Sequence, residues 1–210
     1  NHIAQAIHND SNRAGSPFMA INCRAIPHEL MAGELLGEEN ELRIQPSKFE
    51  LTDGGTLLLD QVDSLSLEMQ SALLQLIETG HVMRLSGSQP IAIDVRIIAT
   101  TAENLEDLVA EGGFLAHLYY RFGVFNISIP SLRERTEDLP LLAERFLARI
   151  TKKGNRAVWI DDSAMTILRR YPWPGNVREL ESVLERALNA SSDGLIRAAD
   201  LPDTVRQGRV

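Results

Sequence analysis

The chain has 210 residues, with 21 Lys and Arg against 29 Asp and Glu and a formal net charge of −8. Hydrophobic residues at 44 % and charged residues at 24 % fit a globular core and exclude long disorder, while the apolar runs are too short to cross a bilayer. No signal-peptide pattern is present, and Cys23 has no second cysteine to pair with, so the expected compartment is the cytoplasm, with no membrane partner.

Residues 1–132 hold 7 basic and 17 acidic side chains, whereas residues 133–210 hold 14 and 12. That split predicts two regions with different electrostatics, and the second is too nearly neutral to be a nucleic-acid footprint. The chain starts without methionine and already inside a helical pattern over residues 2–10, which predicts that residues precede Asn1. FMAINC reads as a buried strand and HELMAGELLG as a short helix stopped by Gly37. Residues 38–48, polar and carrying Pro46, read as a loop. TLLLD at 56–60 is apolar without alternation, as a central parallel strand is.

Residues 66–79 read as a helix, with Leu67, Ser71, Leu74, Leu73 and Ile77 on one side and Gly80 as the stop. HVMRLSGSQPIAID predicts a hairpin around Ser86–Gly87, VRIIAT a further core strand, residues 103–111 a helix, and VFNISIP a strand closed by Pro130. Apolar strands alternating with helices predict an α/β layered domain with a mostly parallel sheet. Beyond it, 137–151, 161–170 and 176–190 read as helices, with Asn176 and Glu179 as a capping box for the last. The expected domains are an α/β core over 1–134 and a small helical domain over 135–210.

Asp60 stands at the carboxyl end of a buried strand, where open α/β sheets bind ligands and an aspartate can hold Mg²⁺. A strand-end carboxylate that caps a turn is the alternative. Arg121, in LYYRF, is either packed at an interface or offered to an anion. Arg178, near the start of the last long helix, can project toward a phosphate carried by the first domain, with Trp173 and two prolines fixing the approach. The five histidines show no ligand spacing, the methionines read as core filling, and neither GxSxG nor HExxH occurs.

Taken together, FMAINCRAIP, GELLG, FELTDGGTLLLDQ, MQSALLQLIETG, DVRIIATT, LYYRFGVF, IPSLRERTEDLP and YPWPGNVRELES resemble, in order, the central AAA+ domain of bacterial enhancer-binding activators of the NtrC type. The resemblance implies a Rossmann-like AAA+ nucleotide domain with a helical lid, and ring assembly by self-association. It also implies ATP with Mg²⁺ between subunits, RNA polymerase as partner, and DNA bound through a separate C-terminal domain. By the same resemblance Asp60 is the Walker B aspartate that holds Mg²⁺. Arg121 is the second of two arginines reaching a neighbour's nucleotide, and Arg178 is the sensor II arginine. The phosphate-loop lysine would fall just before Asn1.

Four positions depart from the family pattern. Gln61 replaces the Walker B glutamate, and an amide cannot take a proton from water; Asp63, two residues on, is the substitute at hand. Ala102 replaces the sensor I asparagine, and Leu115 the first interface arginine. The interval EENELRIQPSK stands where the family carries its GAFTGA loop, which touches polymerase. Some relatives that lack this loop act at sigma-70 promoters, and the chain resembles most the regulator of the dihydroxyacetone kinase operon, whose sensory partners are the kinase subunits. The expectation is therefore an ATPase-impaired scaffold at sigma-70 promoters, set as a dimer by other domains. The alternatives are an active ATPase that remodels sigma-54 polymerase and a structural module without nucleotide.

Overall fold

The computed structural model describes residues 2–40, 43–151 and 158–208. The chain divides into two compact units, Asn1–Asn126 and Ile127–Val210. The first carries α1 (His2–Asn9), β1 (Phe18–Asn22), α2 (His28–Leu36), β2 (Glu38–Glu39), β3 (Ile44–Gln45), α3 (Lys48–Leu51) and β4 (Thr56–Asp60). It continues through α4 (Leu67–Thr79), β5 (His81–Val82), β6 (Ile91–Ala92), β7 (Arg96–Ala99), α5 (Leu105–Ala110) and α6 (Ala116–Phe122).

β1, β4 and β7 form a parallel sheet in the order β1-β4-β7. β4 is central, and Leu57, Leu58 and Leu59 are fully buried on both faces. Each leucine is worth about 1.5–3 kcal/mol of burial, which is why the run needs no polar alternation. Gly55 enters this strand so close to Pro17 that a Cβ would collide with its carbonyl. α1 is tied to the sheet by His8, buried, whose Nδ1 lies 2.9 Å from Thr56 Oγ1.

α4 is capped by Ser66, which accepts from Met69 N at 3.3 Å, and stopped by Gly80 at φ 69°. Of the expected side, Leu73 is buried and Leu74 and Ile77 pack half-buried against the core, whereas Leu67 and Ser71 are exposed; Met69, Gln70 and Leu76 complete the buried face. Gln70 belongs to the buried face although it is polar, and hydrophobicity alone does not count an amide as core.

Residues 38–48 are not the plain loop expected. β2 and β3 pair antiparallel, with Glu39 opposite Ile44, and Ser47 begins α3 with a reciprocal capping box to Glu50. Glu41 and Leu42, within that interval, lie outside the described residues. The hairpin is fastened by Arg84, whose guanidinium meets Glu50 Oε2 at 2.5 Å and Glu39 Oε2 at 3.1 Å. Leu85 N also donates to Gly37 O and Glu39 N to Leu85 O, both at 3.0 Å. Gly37, at φ 76°, leaves no room for a side chain: a Cβ would stand 2.6 Å from Gln45 O and 2.7 Å from Ser47 N.

The strand expected over 124–130 does not form. Val124, Phe125, Ile127 and Ile129 are exposed, Phe125 at 91 %, and no described residue pairs with them. Apolar composition supplies only the propensity for a strand; the ladder needs a neighbour.

The second unit carries 3-10 turns at Leu132–Glu134 and Thr136–Asp138, then α7 (Leu139–Thr151), β8 (Trp159–Ile160), α8 (Asp162–Arg170) and α9 (Asn176–Ala190). β9 (Leu195–Ile196) and α10 (Asp203–Arg206) follow. Its core is built at helical spacing by Leu139, Ala143 and Leu147 with Leu180, Val183, Leu184 and Ala187. Asp161 caps α8, accepting from Ala164 N at 2.7 Å, and β8 pairs parallel with β9. The architecture is thus an α/β core with a parallel sheet followed by a helical lid. Among the described residues no helix is long and apolar enough to cross a membrane.

Candidate nucleotide site

The parallel register sets Asn22 opposite Asp60 at the carboxyl edge of the sheet. Thr100, just past β7, donates its hydroxyl to Asp60 Oδ1 at 2.6 Å and accepts from Gln61 N at 3.3 Å. Asn22 accepts from Ala25 N at 2.9 Å through Oδ1. That orients its amide nitrogen toward Asp60 Oδ2, 3.5 Å away. One carboxylate oxygen is therefore fixed firmly and the other loosely, which suits a hard cation that takes one or two carboxylates and keeps water or phosphate oxygens. No cluster of three His, Cys, Asp or Glu side chains is found among the described residues.

The chain turns sharply after Asp60. Gln61 is left-handed at φ 62°, ψ 56°, a conformation uncommon outside glycine, and its carbonyl accepts from Ser64 Oγ at 2.7 Å. The 3-10 turn Val62–Ser64 that follows buries Asp63 to 5 % side-chain exposure. Asp63 Oδ2 lies 3.6 Å from Arg24 Nη2, and Oδ1 has no hydrogen-bond partner. Burial, then the Asp60 and Asp63 charges, push the Cys23 thiol up to about 12. The cysteine is a neutral core residue, not a nucleophile. A cavity of ≈ 440 Å³ beside this corner is lined by Cys23, Arg24, Pro27, His28 and Ser64, among others.

Ala102, exposed beyond β7, offers no polar side-chain group. Leu115 sits at the start of α6, where its N–H donates to Gln70 Oε1 at 2.8 Å. Gln70 is fully buried and also donates to Leu65 O at 2.8 Å and Gly113 O at 3.1 Å, so one amide fastens α4 to the entry of α6. Arg121, in the last turn of α6, is exposed. It borders a cavity of ≈ 330 Å³ with Leu76, Gly80, Val95 and Ile97. Ile97, in β7 opposite Leu57, lies toward the amino end of the sheet, about 10 Å along the strand from the Asp60 edge. The fold therefore does not bring Arg121 to Asp60.

Arg178 belongs to the second unit, is exposed, and is the third residue of α9. The corner before it is strained: Trp173 has φ 49° and Asn176 φ 52°, a rare conformation for a tryptophan that costs of order 1–3 kcal/mol. Trp173 is buried, its indole N–H donating to Leu168 O at 2.8 Å and its ring meeting Tyr171 edge-on at 5.0 Å. Asn176 is not the cap expected; it is the first residue of α9, and Gly175 takes the cap position. The Asn176 side chain instead accepts from Leu132 N at 2.8 Å. Glu179 does reach back, accepting from Gly175 N at 2.8 Å and from the Tyr171 hydroxyl at 2.9 Å. Asn22, Thr100 and Gln70 were not legible as site residues, because each acts across the fold; the one available signal is that Asn22 ends its strand as Asp60 ends the next.

Residues 1–128 match the Sigma-54 interaction domain family and residues 133–210 the AAA+ ATPase lid domain. The chain is 40 % identical over 211 residues to the regulatory protein AtoC of Escherichia coli K12, covering 98 % of this chain and 46 % of that protein. It is 44 % identical over 199 residues to the Nif-specific regulatory protein of Enterobacter agglomerans, covering 92 % and 38 %. Crystal structures of NtrX from Brucella abortus superimpose with TM-scores of 0.89 for the ADP complex and 0.87 for the ATP complex. Both are 34 % identical, covering 98 % and 97 % of this chain and 47 % and 48 % of NtrX. The chain thus spans less than half the length of these relatives.

These likenesses overturn the expectation of an ATPase-impaired scaffold at sigma-70 promoters, and with it the uncertain enzyme status. The matched family is the sigma-54 one, and a structural relative holds ADP and ATP in crystals. The replacements at 61, 102 and 115 leave Asp60 and its two supports, Thr100 and Asn22, in place. The chain belongs to the Sigma-54 interaction domain family, as the AAA+ module, lid included, of an NtrC-type regulator.

Proposed function

We propose that the chain is the ATP-driven module of a sigma-54-dependent transcriptional activator. The observation that carries the reading is Asp60, held by Thr100 and faced by Asn22 at the end of the central strand, in a chain whose structural relative NtrX is crystallised with ADP and with ATP. Asp60 would hold Mg²⁺, which when bound neutralises phosphate charge. Thr100 and Asn22 keep the carboxylate aimed, and Thr100 also fixes the left-handed Gln61. Arg121 and Arg178, both exposed and without an ion pair among the described residues, supply positive charge to nucleotide phosphate, Arg121 to that of a neighbouring copy.

On this reading the partners are sigma-54 RNA polymerase, further copies of the chain, and DNA through another domain, all in the cytoplasm. The hairpin of β2 and β3 takes the place of the family's polymerase-touching loop; its sequence lacks that loop's GAFTGA motif.

Purified full-length protein with Mg-ATP is expected to turn over at ~1 s⁻¹ or faster, and Asp60→Asn to lose this while keeping the fold by circular dichroism. Reconstituted transcription is expected to require sigma-54 polymerase. Undetectable turnover in a folded protein, or activation confined to sigma-70 polymerase, overturns the reading.

A further inference from the structure

The corner from Tyr171 to Asn176 holds two non-glycine residues in the left-handed region, one of them a buried tryptophan. Such a turn persists only when its surroundings over-determine it. Here the hydrogen bonds converge from both sides. Glu179 spans the corner by accepting at once from the Tyr171 hydroxyl and from Gly175 N. The space is tight as well: a Cβ on Gly175 would stand 2.8 Å from Glu179 Cβ. Asn176 spends its side-chain oxygen on Leu132 N, in the segment that enters the second unit. Neither bond is needed to begin a helix, since Gly175 caps α9 without a side chain. What lies between these two fastened residues is Val177 and Arg178, and the arginine is exposed, with no hydrogen bond or ion pair among the described residues.

We propose that Asn176 and Glu179 are positioning residues for Arg178, fixing the first turn of α9 against Leu132 and Tyr171 so that the arginine side chain leaves the helix from one fixed place and in one Cα–Cβ direction. The proposal rests on the reading of Arg178 as a phosphate contact. An arginine on a frayed first turn starts from many backbone positions, whereas one on a turn held at both neighbours starts from one, and misplacement of about 1 Å can cost on the order of 10²-fold in rate.

The test uses the full-length protein and ATP turnover. Asn176→Gly removes the bond to Leu132 while tolerating φ 52°, and Asn176→Asp keeps an acceptor oxygen. Tyr171→Phe removes one bond from Glu179 and leaves Gly175 bonded. The expected result is a drop in kcat/KM for Mg-ATP of order 10²-fold for Asn176→Gly, comparable to Arg178→Ala, and a smaller drop for Tyr171→Phe. Asn176→Asp is expected to stay near the parent, and Asn176→Gly combined with Arg178→Ala to be no worse than Arg178→Ala alone. An impaired Arg178→Ala beside fully active Asn176→Gly and Tyr171→Phe overturns the proposal, as does simple additivity in the double variant. A fully active Arg178→Ala overturns the reading of Arg178 and the proposal with it, while Asp60→Asn still decides the ATPase reading by itself.

Discussion

Replacing Gln70 by methionine keeps the volume of a fully buried side chain and deletes its hydrogen bonds. Three backbone groups lose their partner: Leu65 O, Gly113 O and Leu115 N, at 2.8, 3.1 and 2.8 Å. An unsatisfied buried group costs ~1–3 kcal/mol. The Leu65 bond is buried, whereas those to Gly113 and Leu115 are only partly so, and water recovers some of their cost. The sum is about 3–5 kcal/mol, a large share of the ~5–15 kcal/mol that holds a domain. Urea unfolding followed by far-ultraviolet circular dichroism reads it as a lower midpoint at unchanged slope. Gln70→Glu removes both donated bonds and is expected to destabilise at least as much. A loss below about 1 kcal/mol for Gln70→Met would refute the reasoning, because the amide would then not be holding these groups in solution.

Gly37→Ala is expected to cost about 2–4 kcal/mol in the same assay, since the added carbon meets backbone atoms of Gln45 and Ser47 and the residue sits at φ 76°; Gly33→Ala, in open space within α2, is the matched control. Burial works to raise the Glu50 carboxyl, but hydrogen bonds from Arg84 and Ser47 outweigh it and hold the group below its ordinary 4.5. A depressed carboxylate contributes stability that is present above its unfolded value and lost as pH falls through the folded one. Unfolding midpoints measured from pH 7 down to pH 3 are therefore expected to fall below about pH 4.5, and Arg84→Met to flatten that limb; an unchanged acid limb in Arg84→Met would count against the cluster.

How far the sequence could be read depended on the range of the forces involved. TLLLD was legible as the central strand because burial on both faces abolishes alternation within five residues. Gly37 and Gly80 were legible as stops because a positive φ is a local demand. The pairing of β2 with β3 was not, since two-residue strands have no periodicity and the fastening guanidinium, Arg84, comes some forty residues later. VFNISIP looked like a strand because composition registers the preference and says nothing of a neighbour. In the site, Asp60 announced itself by position, while Thr100 and Asn22 became visible only through sheet register. The expected loss of catalysis came from counting replaced side chains one at a time. Asn176 shows the same limit in reverse: its type suits a cap, but a backbone N–H more than forty residues upstream claims its oxygen.

The buried thiol at the end of β1 has a practical corollary. Cys23 is the one cysteine of the chain, and the acidic pair beside it helps suppress the thiolate that alkylating reagents require. In the folded protein it should stay unlabelled until that end of the sheet parts, so its modification rate clocks transient openings next to Asp60. A nucleotide or partner that tightens this edge would slow the clock, giving a native gauge of occupancy that needs no engineered label.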